Sequence, residues 1–266
     1  SDMVAVTTRL FQELENIAVL WEDRWLRLFN QLRSDFRNRH HRFAKEQLRI
    51  MELLKGSGSD DAAPEKTSAN EADGHKMVGQ KFVTLMRPLA RALQRLSDDT
   101  FGTSTIGKTQ HELGFARLFY SRVMYLIDFF TTPRHKVDRD AMDVTLSTLI
   151  HDIKSFCRNS RSIQVHSLSP WLAQLGDSVV SGVPLPRQYS HVLDQGQTSA
   201  VWISGASATC EVLRTKTRPK KLVFVGSDGL HYPFLLKGHE DLHLDERIMQ
   251  LLRIVNAFLM GTPDEQ

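Results

Sequence analysis

Leu10, Leu14, Ile17, Trp21, Trp25, Leu28, Leu32 and Phe36 recur every three or four residues. That spacing predicts one long amphipathic helix. It continues weakly through Phe43, Leu48 and Met51, and a helix of that length needs a partner along one face. Residues 56–74 break the pattern. Gly56-Ser57-Gly58-Ser59-Asp60-Asp61 is flexible by composition, and no large apolar residue comes before Met77, which predicts a mobile surface loop. Three further stretches return to helical spacing. One runs through Phe82, Leu85, Met86, Leu89, Leu93 and Leu96, with Pro88 expected to end or kink it unless the helix starts near there. The next runs from Leu113 to Phe130, and the last from Met142 to Phe156. Four helices with short connections predict an antiparallel bundle over residues 5–158.

Beyond residue 160 the character changes. Ser169 is placed to cap a short helix with Pro170 at its first position. Residues 176–198 are rich in Gly, Ser, Pro and Gln, so 159–198 reads as a linker carrying that helix. From 199 to 266 alternation takes over. Val201 and Ile203 against Val212 and Leu213 predict a hairpin around Gly205. Leu222 and Phe224 against Phe234 and Leu236 predict a second hairpin around Ser227-Asp228-Gly229. A final helix carries Leu244, Ile248, Leu251, Leu252, Val255 and Leu259. The expected fold class is α+β: a four-helix bundle followed by antiparallel strands and one helix.

Composition narrows the function classes. Hydrophobic residues make up 41% of the 266, enough for a packed core and too many for a disordered chain. The net charge of +3 is too small to argue for nucleic acid. The run Arg33, Arg37, Arg39, His40, His41, Arg42 has no aromatic stacking platform beside it and reads as a solvated helix face, so no direct nucleic-acid partner is expected. Cys157 and Cys210 lie in no metal-ligand spacing and read as buried apolar side chains in a reducing compartment; no metal ligand set is expected. No run of about 18 apolar residues exists to span a membrane. Ser1-Asp2-Met3 carries no signal-peptide pattern and reads as a cloning remnant.

The chemistry-bearing segment is 220–259. A strand enters the turn Gly226-Ser227-Asp228-Gly229, another returns to Lys237, and Glu240, Asp241, Asp245 and Glu246 follow. A small turn flanked by Gly lets backbone amides and a hydroxyl approach a phosphate. A Lys at a strand end supplies a point charge, which a nearby carboxylate can hold in place. Spacing alone leaves the plainer alternative open, an ordinary turn and a solvated surface.

The wording of that segment adds to the reading. Leu235-Leu236-Lys237-Gly238-His239-Glu240-Asp241-Leu242, continuing to Asp245-Glu246-Arg247-Ile248-Met249-Gln250, resembles the N-lobe motif of the phosphatidylinositol 3-kinase-related protein kinases (PIKK family). Pro219-Lys220-Lys221-Leu222 and Gly226-Ser227-Asp228-Gly229 resemble the strand and phosphate-binding loop before it. Asp241–Gln250, Thr84–Pro88, Ser169–Ala173 and Thr215–Lys221 are similar to the branch that acts in nonsense-mediated mRNA decay. The resemblance covers residues 14–36, 80–96 and 167–260.

The resemblance implies a serine/threonine protein kinase that transfers the γ-phosphoryl of ATP, with Mg²⁺ or Mn²⁺, to Ser or Thr followed by Gln. Its substrate would be an up-frameshift-type RNA helicase, its other partners mRNA-surveillance proteins, and its location cytoplasmic with the nucleus left open. Lys237 and Ser227 would contact the phosphates, Asp245 would orient Lys237, and Glu240 would lie close by. No catalytic residue is expected within this chain, which stops before the catalytic loop and metal-binding Asp motif. The chain alone is therefore expected to be inactive. The bundle would match the FKBP–rapamycin-binding (FRB) domain, through Leu14, Ile17, Ala18, Leu20, Trp21 and Trp25. Arg33 stands where a rapamycin groove needs a small residue, so no rapamycin binding is expected. The alternative is a helical docking or substrate-gating module without a catalytic role.

Overall fold

The computed structural model describes residues 2–56, 64–102, 109–175, 183–190, 199–238 and 243–261. The chain begins with helices α1 (Asp2–Ala18), α2 (Trp21–Gly56), α3 (Pro64–Phe101), α4 (Gln110–Thr131) and α5 (Arg139–Asn159). The apolar stripes of α2 to α5 meet in one core, where Trp25, Phe36, Phe82, Phe115, Phe130 and Leu146 are fully buried. The two indole N–H groups at this core are paired, as burial requires. The Trp25 indole N–H donates to Thr100 Oγ1 at 3.0 Å, and the Trp21 indole donates to Glu112 Oε1 at 2.6 Å. Glu112 also closes a capping box with Thr109 at the start of α4.

The long first helix expected from the sequence is two. The chain breaks at Val19-Leu20, and Asp23 sets the start of α2 by accepting the Leu20 backbone N–H at 3.3 Å, the carboxylate half of a capping box. The break redirects the pattern. Leu10 and Ile17 of α1, with Leu20, join a second core away from the bundle. Part of the expected loop is also helical: residues 64–74 belong to α3, which opens on Pro64 at its first position. Residues 57–63 lie outside the described residues. Pro88 does not end α3. Arg39 of α2 donates to the Leu85 carbonyl at 3.0 Å, within the turn that Pro88 disturbs.

The second core lies under an antiparallel sheet. Its strands are β1 (Ser162–Gln164), β2 (Pro184–Ser190), β3 (Ser199–Ala206), β4 (Thr209–Val212), β5 (Lys220–Gly226) and β6 (His231–Leu236). The stretch 159–198 expected as linker therefore contributes β1 and β2. Between them lie the short helices α6 (Val165–Leu168) and α7 (Pro170–Ala173), the latter capped by Ser169 Oγ on the Leu172 amide at 3.0 Å. The expected hairpin around Gly205 does not form. β3 and β4 lie end to end along one edge of β5, with Ala206 opposite Phe224 and Val212 opposite Lys220. Between them the Ser207 amide continues the ladder to Val223 O at 2.8 Å. β1 and β2 pair on the outer side of β4 and β3, and β6 covers the other edge of β5. Alternation on β5 buries Leu222 and Phe224. α1, α6 and α7 cover that face. The last helix, α8 (His243–Gly261), follows β6.

Candidate functional site

The β5–β6 hairpin positions the predicted site residues, and its register separates them. Lys220 pairs with Leu236 at one end and Val225 with His231 at the other. Lys237 therefore leaves the sheet beside Lys220, while Ser227 sits on the turn at the opposite end. Five residue steps of antiparallel strand put roughly 17 Å between those ends. The fold thus sets Ser227 and Lys237, both expected to contact the nucleotide phosphates, at opposite ends of the hairpin.

Ser227 has a structural task instead. Its hydroxyl accepts the Trp202 backbone N–H at 3.1 Å, and its own amide donates to Trp202 O at 2.8 Å. The turn around it is self-contained. Gly229 takes a φ of 78°, which suits glycine, and Asp228 accepts the Leu230 amide at 3.0 Å and the Tyr232 hydroxyl. The bond from Tyr232, and then that from Leu230, holds the Asp228 carboxyl below its usual range.

At the other end, Lys237 is half-buried and is followed by Gly238. A Cβ on Gly238 would come within 2.2 Å of Val19 Cγ2 and 2.9 Å of Ala18 O. Only glycine lets the chain leave β6 this close to the α1–α2 corner. Asp245 is carried on α8. Glu240 lies outside the described residues.

Sequence reasoning missed two features at this end. The first is the connection from β4 to β5. Val212 opposite Lys220 and Lys220 opposite Leu236 place its residues 213–219 at the same end of the sheet as Lys237. Thr215, Lys216 and Thr217 are exposed there. The second is a charged node. Lys220, 1% exposed, donates to Asp23 Oδ2 at 2.5 Å and to Ala18 O at 2.9 Å. Arg218 pairs with the other oxygen of Asp23. The available signal was the basic run Lys216 to Lys221 facing an acid at the start of a helix. A cleft of about 390 Å³ opens between these parts, lined by Arg27, Asn30, Lys216, Thr217, Arg218 and Gly238 among others. Its cationic lining and small residues fit a phosphate-bearing group.

Part of the basic run of α2 is engaged within the bundle, while His41 and Arg42 are exposed. Arg33 and Arg37 both grip Asp143, at 2.7–2.9 Å, and the His40 ring lies 3.3 Å from Val137 O. No group of three or more His, Cys, Asp or Glu is placed to hold a metal among the described residues.

Comparison with known proteins locates this arrangement. The chain is 28% identical over 257 residues to the serine/threonine-protein kinase SMG1 of Danio rerio, covering 96% of this chain and 6% of that protein. It is 31% identical over 257 residues to the serine/threonine-protein kinase Smg1 of Drosophila melanogaster, covering 96% of this chain and 7% of that one. The serine/threonine-protein kinase mTor of Drosophila melanogaster is 50% identical over 62 residues, or 23% of this chain and 2% of that protein. The chain thus spans a small fraction of the length of these relatives. No protein-family model matches it.

Proposed function

Because the chain belongs to the phosphatidylinositol 3-kinase-related kinase family, we propose that it is the part of a serine/threonine protein kinase that grips the nucleotide phosphates from one side. The carrying observation is the shared sheet end, where Lys237 and the β4–β5 connection emerge together. ATP supplies the transferable γ-phosphoryl, with Mg²⁺ or Mn²⁺ shielding its charge. Lys237 sets an ammonium against the phosphates. The amides of 215–217 and the hydroxyls of Thr215 and Thr217 reach their oxygens, taking the place the sequence reading assigned to Ser227. By the family resemblance, Asp245 is the carboxylate assigned to orient Lys237, and Glu240 is assigned to the same site.

The bundle takes the FRB-like role of gating the cleft. It is tied to the β4–β5 connection through Asp23, so it borders the space a substrate must cross. The substrate class is Ser or Thr followed by Gln, on an up-frameshift-type RNA helicase of nonsense-mediated mRNA decay, in the cytoplasm. The test is phosphorylation of a Ser-Gln peptide and its Ser-Ala counterpart by the complete kinase. Preference for Ser-Gln supports this reading, and equal use of both removes it.

A further inference from the structure

A second cleft of about 390 Å³ lies on the other side of Arg218, between the end of α5 and the β4–β5 connection. Its floor is apolar, formed by Leu26, Val212 and Leu213. Its rim is cationic: Lys154 and Arg158 stand one helical turn apart on α5, Arg161 follows just past the helix end, and Arg214 faces them from the connection. All four of these side chains are exposed, and no ion pair with an acid is formed by any of them among the described residues. Asp23, the nearby carboxylate of the charged node, is already taken by Arg218 and Lys220.

Arg218 adds a second, independent sign. It is the one non-glycine residue among those described with a positive φ, 49°, a backbone state that costs energy for a side-chain-bearing residue. Its Nη1 reaches Asp23 and Cys157 Sγ, while its Nη2 is buried with no partner. An unsatisfied guanidinium N–H beside an apolar floor lacks an acceptor.

We propose that this cleft docks an acidic peptide segment of a partner protein, seating a hydrophobic side chain on the Leu26–Val212–Leu213 floor with flanking carboxylates against the basic rim. The apolar floor selects against a bare polyanion, and the unmatched cations select against a neutral peptide. The cleft shares Leu26 and Arg218 with the first cleft and includes Thr215, but the docking rests on its own basic rim and apolar floor and does not require the phosphoryl-transfer reading.

The experiment is fluorescence anisotropy of a fluorescein-labelled peptide, a Leu-Phe pair flanked on both sides by Asp and Glu, titrated with the full chain. Saturable binding is expected, weakened about tenfold by the double variant Arg158→Glu, Arg161→Glu. A similar loss is expected when Leu-Phe becomes Ser-Ser. Arg91→Glu, an exposed charge reversal on α3, should leave binding unchanged, and circular dichroism should report native helix for all variants. Absence of binding, or binding indifferent to the double variant, overturns the proposal. So does tighter binding of a polyuridylate strand than of the peptide, which would make the rim a nucleic-acid surface.

Discussion

Asp23 and Lys220 are 197 residues apart in the chain and 2.5 Å apart in space. Asp23 lies in the first turn of α2, and Lys220 begins the central strand of the sheet. This one contact therefore joins the two cores and holds the β4–β5 connection against the bundle. A buried ammonium left without its carboxylate is costly. Asp23→Asn should lower stability by about 3 kcal/mol in chemical denaturation, whereas loss of an exposed pair such as Lys221–Glu211 should fall within the noise of the same measurement.

The double grip of Arg33 and Arg37 on Asp143 predicts an acid-dependent contribution. The hydrogen bond from Arg33, then that from Arg37, holds the Asp143 carboxyl well below its ordinary value of 3.8. A carboxyl that binds its proton more weakly when folded stabilises the fold above its unfolded value, and that gain is lost as pH falls toward the folded one. The pair is partly exposed, so Asp143→Asn should cost only about 1 kcal/mol at neutral pH. The gap between the two proteins should narrow below about pH 4 in urea melts run across the acid range.

Burial pushes the Cys157 thiol up to about 12 and the Cys210 thiol up to about 11. Both stay protonated near neutrality, and only the thiolate is nucleophilic. Iodoacetamide should label neither cysteine in the folded chain at about pH 8 and both after denaturation, read by mass spectrometry. Rapid labelling of Cys157 in the native chain would mean that the α5 end opens.

Gly238→Ala should destabilise the corner by about 1–3 kcal/mol, because the added methyl meets Val19 Cγ2 and the Ala18 carbonyl. The Val19 contact is a side-chain tip, and the Ala18 contact is backbone. Adding Val19→Ala should therefore restore part of the lost melting temperature and not all of it.

The bundle helices and the β5–β6 hairpin were legible because each shows its own period, 3.6 or 2, against polar neighbours. The α1–α2 break was not. Leu14, Ile17, Trp21 and Trp25 keep helical spacing straight through it, so periodicity could not reveal that Ile17 and Trp25 face different cores. Only Asp23, three residues into α2, marked the start. Residues 64–74 hold too few apolar side chains to show a stripe, although Pro64 and Glu65 at a helix start were a usable sign. The β3–β4 arrangement needed long-range pairing with β5, which no local pattern carries. At the site, Lys237 at a strand end was readable from alternation. Its separation from Ser227 followed only once the hairpin register was known, since in the chain the two stand just ten positions apart.

In the proposed function, Lys237 acts together with the β4–β5 connection and apart from the Ser227 turn. The most direct test is phosphoryl transfer to a Ser-Gln peptide by the complete kinase carrying Lys237→Met or Ser227→Ala, each checked for native circular dichroism. Lys237→Met should reduce transfer at least about a hundredfold. Ser227→Ala should leave it within about twofold while lowering stability by about 1 kcal/mol through the lost bond to Trp202. Unchanged transfer in the folded Lys237→Met kinase, or its collapse in Ser227→Ala, would contradict the assignment.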